Sequence, residues 1–144
     1  MTKLKVFTPT EKYSKEYDIP LTKSYNPSFY EWLFTKGEFI VKYSAATGNV
    51  YVVPSGYTYF LMGLWCSVNH NAVGRYRMTL YPQYNSLALS AECAANTSAS
   101  NSISFPFPIP ISSGSAVQSS ITGTGNGGCI GYLVKNDVIP FFTP

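Results

Sequence analysis

The chain has 144 residues, 45% apolar and 16% aromatic but only 12% charged, with a formal net charge of +3. That size fits one globular domain with a sizeable core, and charge this sparse excludes the basic surface that nucleic acid requires. No apolar run approaches the roughly 20 residues of a membrane span. The first residues, Met-Thr-Lys-Leu-Lys-Val-Phe, lack the apolar stretch and small-residue cleavage site of a secretory signal, which predicts synthesis in a cytoplasm and no membrane partner.

Residues 1–36 show no sustained period and are broken by Pro9, Pro20 and Pro27, so they read as an extended arm. The stretch 1–42 holds seven of the eight lysines and five of the seven acids. The arm ends in a dense aromatic cluster, Phe29-Tyr30-Glu31-Trp32-Leu33-Phe34. Phe29, Tyr30, Trp32 and Phe34 are the candidate anchor for a protein partner, because such side chains supply most interface hot spots. The competing expectation is that they close one end of the body.

The body, residues 37–144, reads as strand after strand. Phe39, Val41 and Tyr43 alternate with Glu38, Ile40 and Lys42; turns are predicted at 46–49 and 54–56, with a short strand over 50–53 between them. The longest strand, 57–68, carries Phe60, Met62, Leu64, Cys66 and Val68 on its even face. Its odd face, with Tyr57, Tyr59, Leu61, Gly63, Trp65 and Ser67, is too apolar for a solvated surface. Tyr59, Leu61 and Trp65 are therefore candidate oligomer-interface residues. Residues 74–81 alternate with Tyr76, Met78 and Leu80 inward and Arg75, Arg77 and Thr79 outward, and Leu87, Leu89 and Ala91 suggest a further strand. A polar loop is predicted over 94–101.

Residues 102–111, Ser-Ile-Ser-Phe-Pro-Phe-Pro-Ile-Pro-Ile, have period two, with Ile103, Phe105, Phe107, Ile109 and Ile111 apolar. Pro106, Pro108 and Pro110 remove donors from one side of that strand, which places it at a sheet edge. A turn at Ser113-Gly114, a strand near 117–121, a glycine-rich hairpin loop over 122–128, a strand over 129–134 and a short last one over 138–142 complete the pattern. Eight to ten short strands without an amphipathic helix predict an all-β, antiparallel β-sandwich. Phe60, Met62, Leu64, Tyr76, Met78, Leu80, Phe105, Phe107 and Ile130 are its expected shared core.

Catalytic motifs are thin. Gly123–Gly128 lacks the Lys-Ser/Thr ending of a phosphate loop. His70 is the only histidine, with Cys66 at a Cys-x3-His spacing but no second ligand pair, so no metal or cofactor is expected. Glu92 and Asp137 are the only carboxylates beyond residue 42, which leaves little for a hydrolase. Cys66, Cys93 and Cys129 form an odd set without CxxC spacing and read as reduced, buried small hydrophobes.

The order Val53-Pro54-Ser55-Gly56-Tyr57, long apolar strand, short alternating strands, Phe105-Pro106-Phe107-Pro108-Ile109-Pro110-Ile111-Ser112-Ser113-Gly114-Ser115, Gly-rich stretch, Gly131-Tyr132-Leu133-Val134 resembles the small jelly-roll accessory proteins of bacterial viruses. These are head-decoration, head-fibre and tail-associated proteins, and the resemblance spans residues 48–135. It implies a jelly-roll fold, a homotrimer, and attachment of the N-terminal segment to capsid or tail components in the virion. The expectation is a non-enzymatic structural part of a phage particle. The alternative is a glycan-binding module at a fibre tip, with Tyr and Trp stacking on a host surface sugar and Asn and Ser hydrogen-bonding it.

Overall fold

The computed structural model describes residues 29–84 and 87–139, together with the backbone of two short strands, β1 (Leu4–Val6) and β2 (Lys15–Tyr17). The chain divides into two compact units, Met1–Trp32 and Leu33–Pro144. In the first, β1 pairs antiparallel with β2, Lys5 opposite Glu16, so the segment expected to run extended folds back on itself there.

The aromatic cluster is a helix, α1 (Phe29–Lys36), not part of an extended arm. Phe29, Trp32 and Leu33 stand at i, i+3 and i+4, the spacing of one helical face, and the Phe29 and Trp32 rings lie 5.9 Å apart. Glu31 in the first turn and Lys36 in the last complement the helix dipole. The Gly37 N–H donates to the Leu33 carbonyl at 2.8 Å and ends the helix.

Eight further strands follow: β3 (Glu38–Ser44), β4 (Gly48–Val52), β5 (Tyr57–His70), β6 (Gly74–Tyr81), β7 (Ala88–Cys93), β8 (Thr97–Ile111), β9 (Ala116–Thr122) and β10 (Thr124–Lys135). They form two four-stranded antiparallel sheets, ordered β3-β10-β5-β8 and β4-β9-β6-β7. Every connection except β6 to β7 passes from one sheet to the other. That interleaving is the jelly-roll order of an eight-strand sandwich. A 3₁₀ turn, Asn136–Val138, stands where the last strand was expected to begin; residues 140–142 lie outside the described residues.

The core is one cluster between the sheets, with Tyr59, Leu61, Leu64, Cys66 and Val68 from β5 against Tyr76, Met78 and Leu80 from β6. Two tyrosines tie it together. The buried Tyr76 hydroxyl donates across the sandwich to the Ser44 carbonyl at 2.7 Å, and that of Tyr59 donates within its own sheet, from β5 to the Ile40 carbonyl of β3, at 3.0 Å. Burial leaves a tyrosine hydroxyl in need of such a partner.

The alternation expected along β5 breaks in its middle. Gly131 pairs with Leu61 and Ile130 with Gly63, leaving Met62 as an extra residue, a β-bulge. A bulge shifts the side-chain phase by one. Tyr59 and Leu61 therefore point inward before it, and Leu64, Cys66 and Val68 after it. Of the expected core, Leu64, Tyr76, Met78 and Leu80 are in place and Phe105 packs against the cluster from its margin. Phe60 is buried outside that cluster, while Met62 and Ile130 are half-buried.

Among the described residues, strand β8 is an edge, paired only with β5, as the prolines predict. Its register is interrupted where they begin. Gly63 pairs with Ser104 and Leu61 with Ile109, so Phe105–Pro108 all stand opposite Met62 alone. That four-residue excursion leaves Phe107 76% exposed rather than in the core. The polar loop expected over 94–101 is shorter than read: β8 begins at Thr97.

Candidate functional site

The two outer faces of the sandwich differ in chemistry. On the β4-β9-β6-β7 sheet, Arg75 and Arg77 point outward, and Arg75 Nε lies 3.3 Å from Glu92 Oε1 across the β6–β7 pair. The pair is largely exposed and contributes little to stability. It also engages one of the two carboxylates that a hydrolase reading of the body requires. The outer face of the β3-β10-β5-β8 sheet presents no charged side chain at any register position from Phe39 to Tyr43, Thr124 to Tyr132, Phe60 to Asn69 or Ser98 to Ser104.

The glycine-rich stretch builds the middle of this face. It is not a hairpin loop, as expected, but the first half of β10, a central strand between β3 and β5. Its glycines admit aromatic rings. A Cβ at Gly127 would stand 2.6 Å from Cε1 of Tyr76 on the core side, and one at Gly128 would collide with the indole of Trp65 on the outer side. A Cβ at Gly131 would stand 2.9 Å from Cζ of Tyr59. Glycine inside a strand marks such close approaches.

One half of the face is apolar. Phe39, Val41 and Tyr43 of β3 point outward, the reverse of a core strand, and are 53%, 42% and 73% exposed. Their register partners on β10 are Tyr132, Ile130 and Gly128. The Tyr132 ring lies 5.3 Å from that of Phe39 and 5.1 Å from that of Phe34. Phe34, Phe39, Val41 and Tyr43 thus make one exposed apolar strip with Tyr132 and Ile130 between them.

The candidate residues separate accordingly. Trp65 lies on the outer face, paired with Gly128 and Ser102. Tyr59 and Leu61 are fully buried in the core, because the bulge turns their half of β5 inward, and neither is available to a partner. In α1, Phe34 is half exposed, Phe29 and Tyr30 are partly buried, and Trp32 is buried. Phe39, Val41 and Tyr43 were assigned no role. Their signal was that Lys42 and Glu38 share the opposite face, which an edge strand tolerates where the sandwich opens to solvent.

The other half of the face is polar. Ser67 pairs with Ser100 and Asn69 with Ser98, while Asn126 and Thr124 flank them on β10. At its end, Asn69, His70, Asn71, Asn96, Thr97, Ser98 and Thr124 line an open depression of about 660 Å³.

Among the described residues, no three His, Cys, Asp or Glu side chains gather where they could hold a metal ion. All three cysteines are free and buried. Burial pushes the thiols of Cys129 and Cys66 above their ordinary value. A raised pKa shrinks the thiolate fraction at pH 8, and the thiolate is the reactive form. Ellman's reagent is therefore expected to leave Cys66 and Cys129 untouched in the native protein at pH 8 and to label all three thiols in denaturant. Rapid native labelling of Cys129 contradicts this placement.

The sequence matches no protein-family model and no curated protein.

Proposed function

We propose that this chain is a non-enzymatic structural part of a bacteriophage particle, a jelly-roll module that self-associates into a trimer and docks on capsid or tail components through its N-terminal segment. The observation that carries the reading is the apolar strip of Phe34, Phe39, Val41 and Tyr43 on a sheet face without charge. An edge strand normally defends itself with charge, proline or brevity. On β3 the charges Glu38 and Lys42 stand on the inward side, while the outward side presents aromatic and β-branched side chains, an exposed apolar surface of the kind that marks association sites. The jelly-roll strand order and the sequence resemblance support the phage assignment; the uneven charge of residues 1–42 supports a docking role for the N-terminal segment, since lysines there favour an acidic partner surface.

The test is gradient fractionation of a lysate in which the complete virus is produced. The chain is expected to band with intact particles. A variant lacking residues 1–28, which keeps α1 whole, is expected to remain folded and move to the soluble fractions. Full-length chain that stays at the top of the gradient contradicts the proposal.

A further inference from the structure

The polar half of the same sheet face lies apart from the apolar strip on which that reading rests, and its chemistry is of a different kind. Three depressions follow one another along β5 and β8. The largest, about 660 Å³, lies at the His70 end; the next, about 220 Å³, lies over Ser67, Asn69 and Ser100; the third, about 360 Å³, reaches Trp65 and Ser102. Together they form a shallow track from an imidazole and three carboxamides at one end to an indole at the other.

Three properties of the track specify its occupant. Apart from the His70 imidazole at its far end, it has no ionisable side chain, so along β5 and β8 from Ser67 to Trp65 it offers no charge to pair with a phosphate, a carboxylate or an ammonium group. It is rich in groups that both donate and accept. Ser, Thr and Asn each supply both functions, and the side chains of Asn69, Ser98, Ser100, Thr124 and Asn126 make no hydrogen bond among the described residues. Its one large apolar surface is the indole of Trp65, whose six-membered ring lies over Gly128 where no side chain interrupts it. A ligand matching all three is uncharged, studded with vicinal hydroxyls and apolar on one flat side. That is a pyranose: its hydroxyls pair with amides and hydroxyls while its C–H face packs on an aromatic ring.

We infer that this track is a binding site for a neutral polysaccharide, with Trp65 as the stacking platform and Asn69, Ser100 and Asn126 among the hydrogen-bonding groups. The open, shallow form suits several residues of a chain lying along β5 and β8 rather than one sugar in a closed pocket.

The experiment is affinity electrophoresis of the full-length protein in native gels cast with dextran, mannan, galactan or hydroxyethylcellulose, mobility being taken relative to a gel without polysaccharide. At least one of the four is expected to retard the wild-type chain. Ser100→Arg and Asn69→Arg, both at exposed positions, are expected to weaken that retardation at least tenfold while leaving the thermal midpoint and the light-scattering mass unchanged. Trp65→Leu is expected to do the same; should it fail to fold, the two arginine variants decide. Wild-type mobility unaffected by all four polysaccharides overturns the inference, as does retardation that both arginine variants retain. Because the mass is read on the same samples, failure here leaves the assembly proposal standing, and monomeric protein that still binds leaves this one standing.

Discussion

Gly127→Val is expected to destabilise the sandwich by about 3 kcal/mol or more, at or beyond the top of the usual overpacking range. The added Cβ alone falls 2.6 Å from the Tyr76 ring and 2.8 Å from the Trp65 carbonyl. Neither neighbour gives easily. Tyr76 is fully buried and its hydroxyl is bonded to the Ser44 carbonyl, while the Trp65 carbonyl belongs to the central ladder. The cause is space and not backbone conformation, which makes the effect separable. Gly114, by contrast, has a φ of +82° and open space around it. Asparagine tolerates that conformation, so Gly114→Asn is expected to cost less than about 1 kcal/mol. Urea unfolding measures both, and a double variant sharpens the first. Tyr76→Leu vacates part of the ring's volume, so Gly127→Ala combined with it is expected to cost less than the sum of the two single changes. Strict additivity would mean that the ring does not occupy the space over Gly127.

The second large effect concerns assembly. Val41→Arg places a charge in the middle of the outward strip on β3, where 42% of the valine is already exposed. Fold stability is expected to change by no more than about 0.5 kcal/mol, the range of surface substitutions. Association is expected to fail, because an unpaired guanidinium in a covered apolar patch has no compensating partner. Phe39→Arg is expected to behave in the same way. Leu61→Arg is the contrasting case: with its side chain fully buried in the core, the variant is expected not to fold at all. Dissociation and unfolding are thus assigned to different residues, and light scattering with circular dichroism tells them apart.

What was legible in the sequence follows from where period two is unbroken. Residues 74–81 alternate cleanly, and Tyr76, Met78 and Leu80 lie inward with Arg75 and Arg77 outward as read. The proline segment announced its edge position, since missing donors constrain the ladder wherever the strand runs. Its side-chain phase was not legible, because four residues bypass Met62 in a geometry set by the neighbouring strand. The same holds for β5: one inserted residue reversed the face of Tyr59 and Leu61, and nothing local to those residues marks it. Gly123–Gly128 misled in the opposite direction. Glycine clusters usually signal a turn, but here most of them lie within β10, where the rings of Tyr76 and Trp65 need the room, a requirement visible only once strands distant in sequence are paired. The helix at Phe29–Lys36 was missed, because the 29, 32, 33 spacing spans only eight residues, too short for a helical period to stand out. For the surface, the apolar odd positions of the long strand pointed to a covered face, but Tyr59 and Leu61 among them are apolar because the bulge turns them into the core, and only Trp65 lies on the outer face.

The central claim is that the apolar strip of Phe39, Val41 and Tyr43 is covered by copies of the same chain. Multi-angle light scattering on the full-length protein at micromolar concentration tests it most directly. The expected mass is about three times the 15.9 kDa of the chain, falling to that of one chain in Val41→Arg. A wild-type mass of 15.9 kDa contradicts the account.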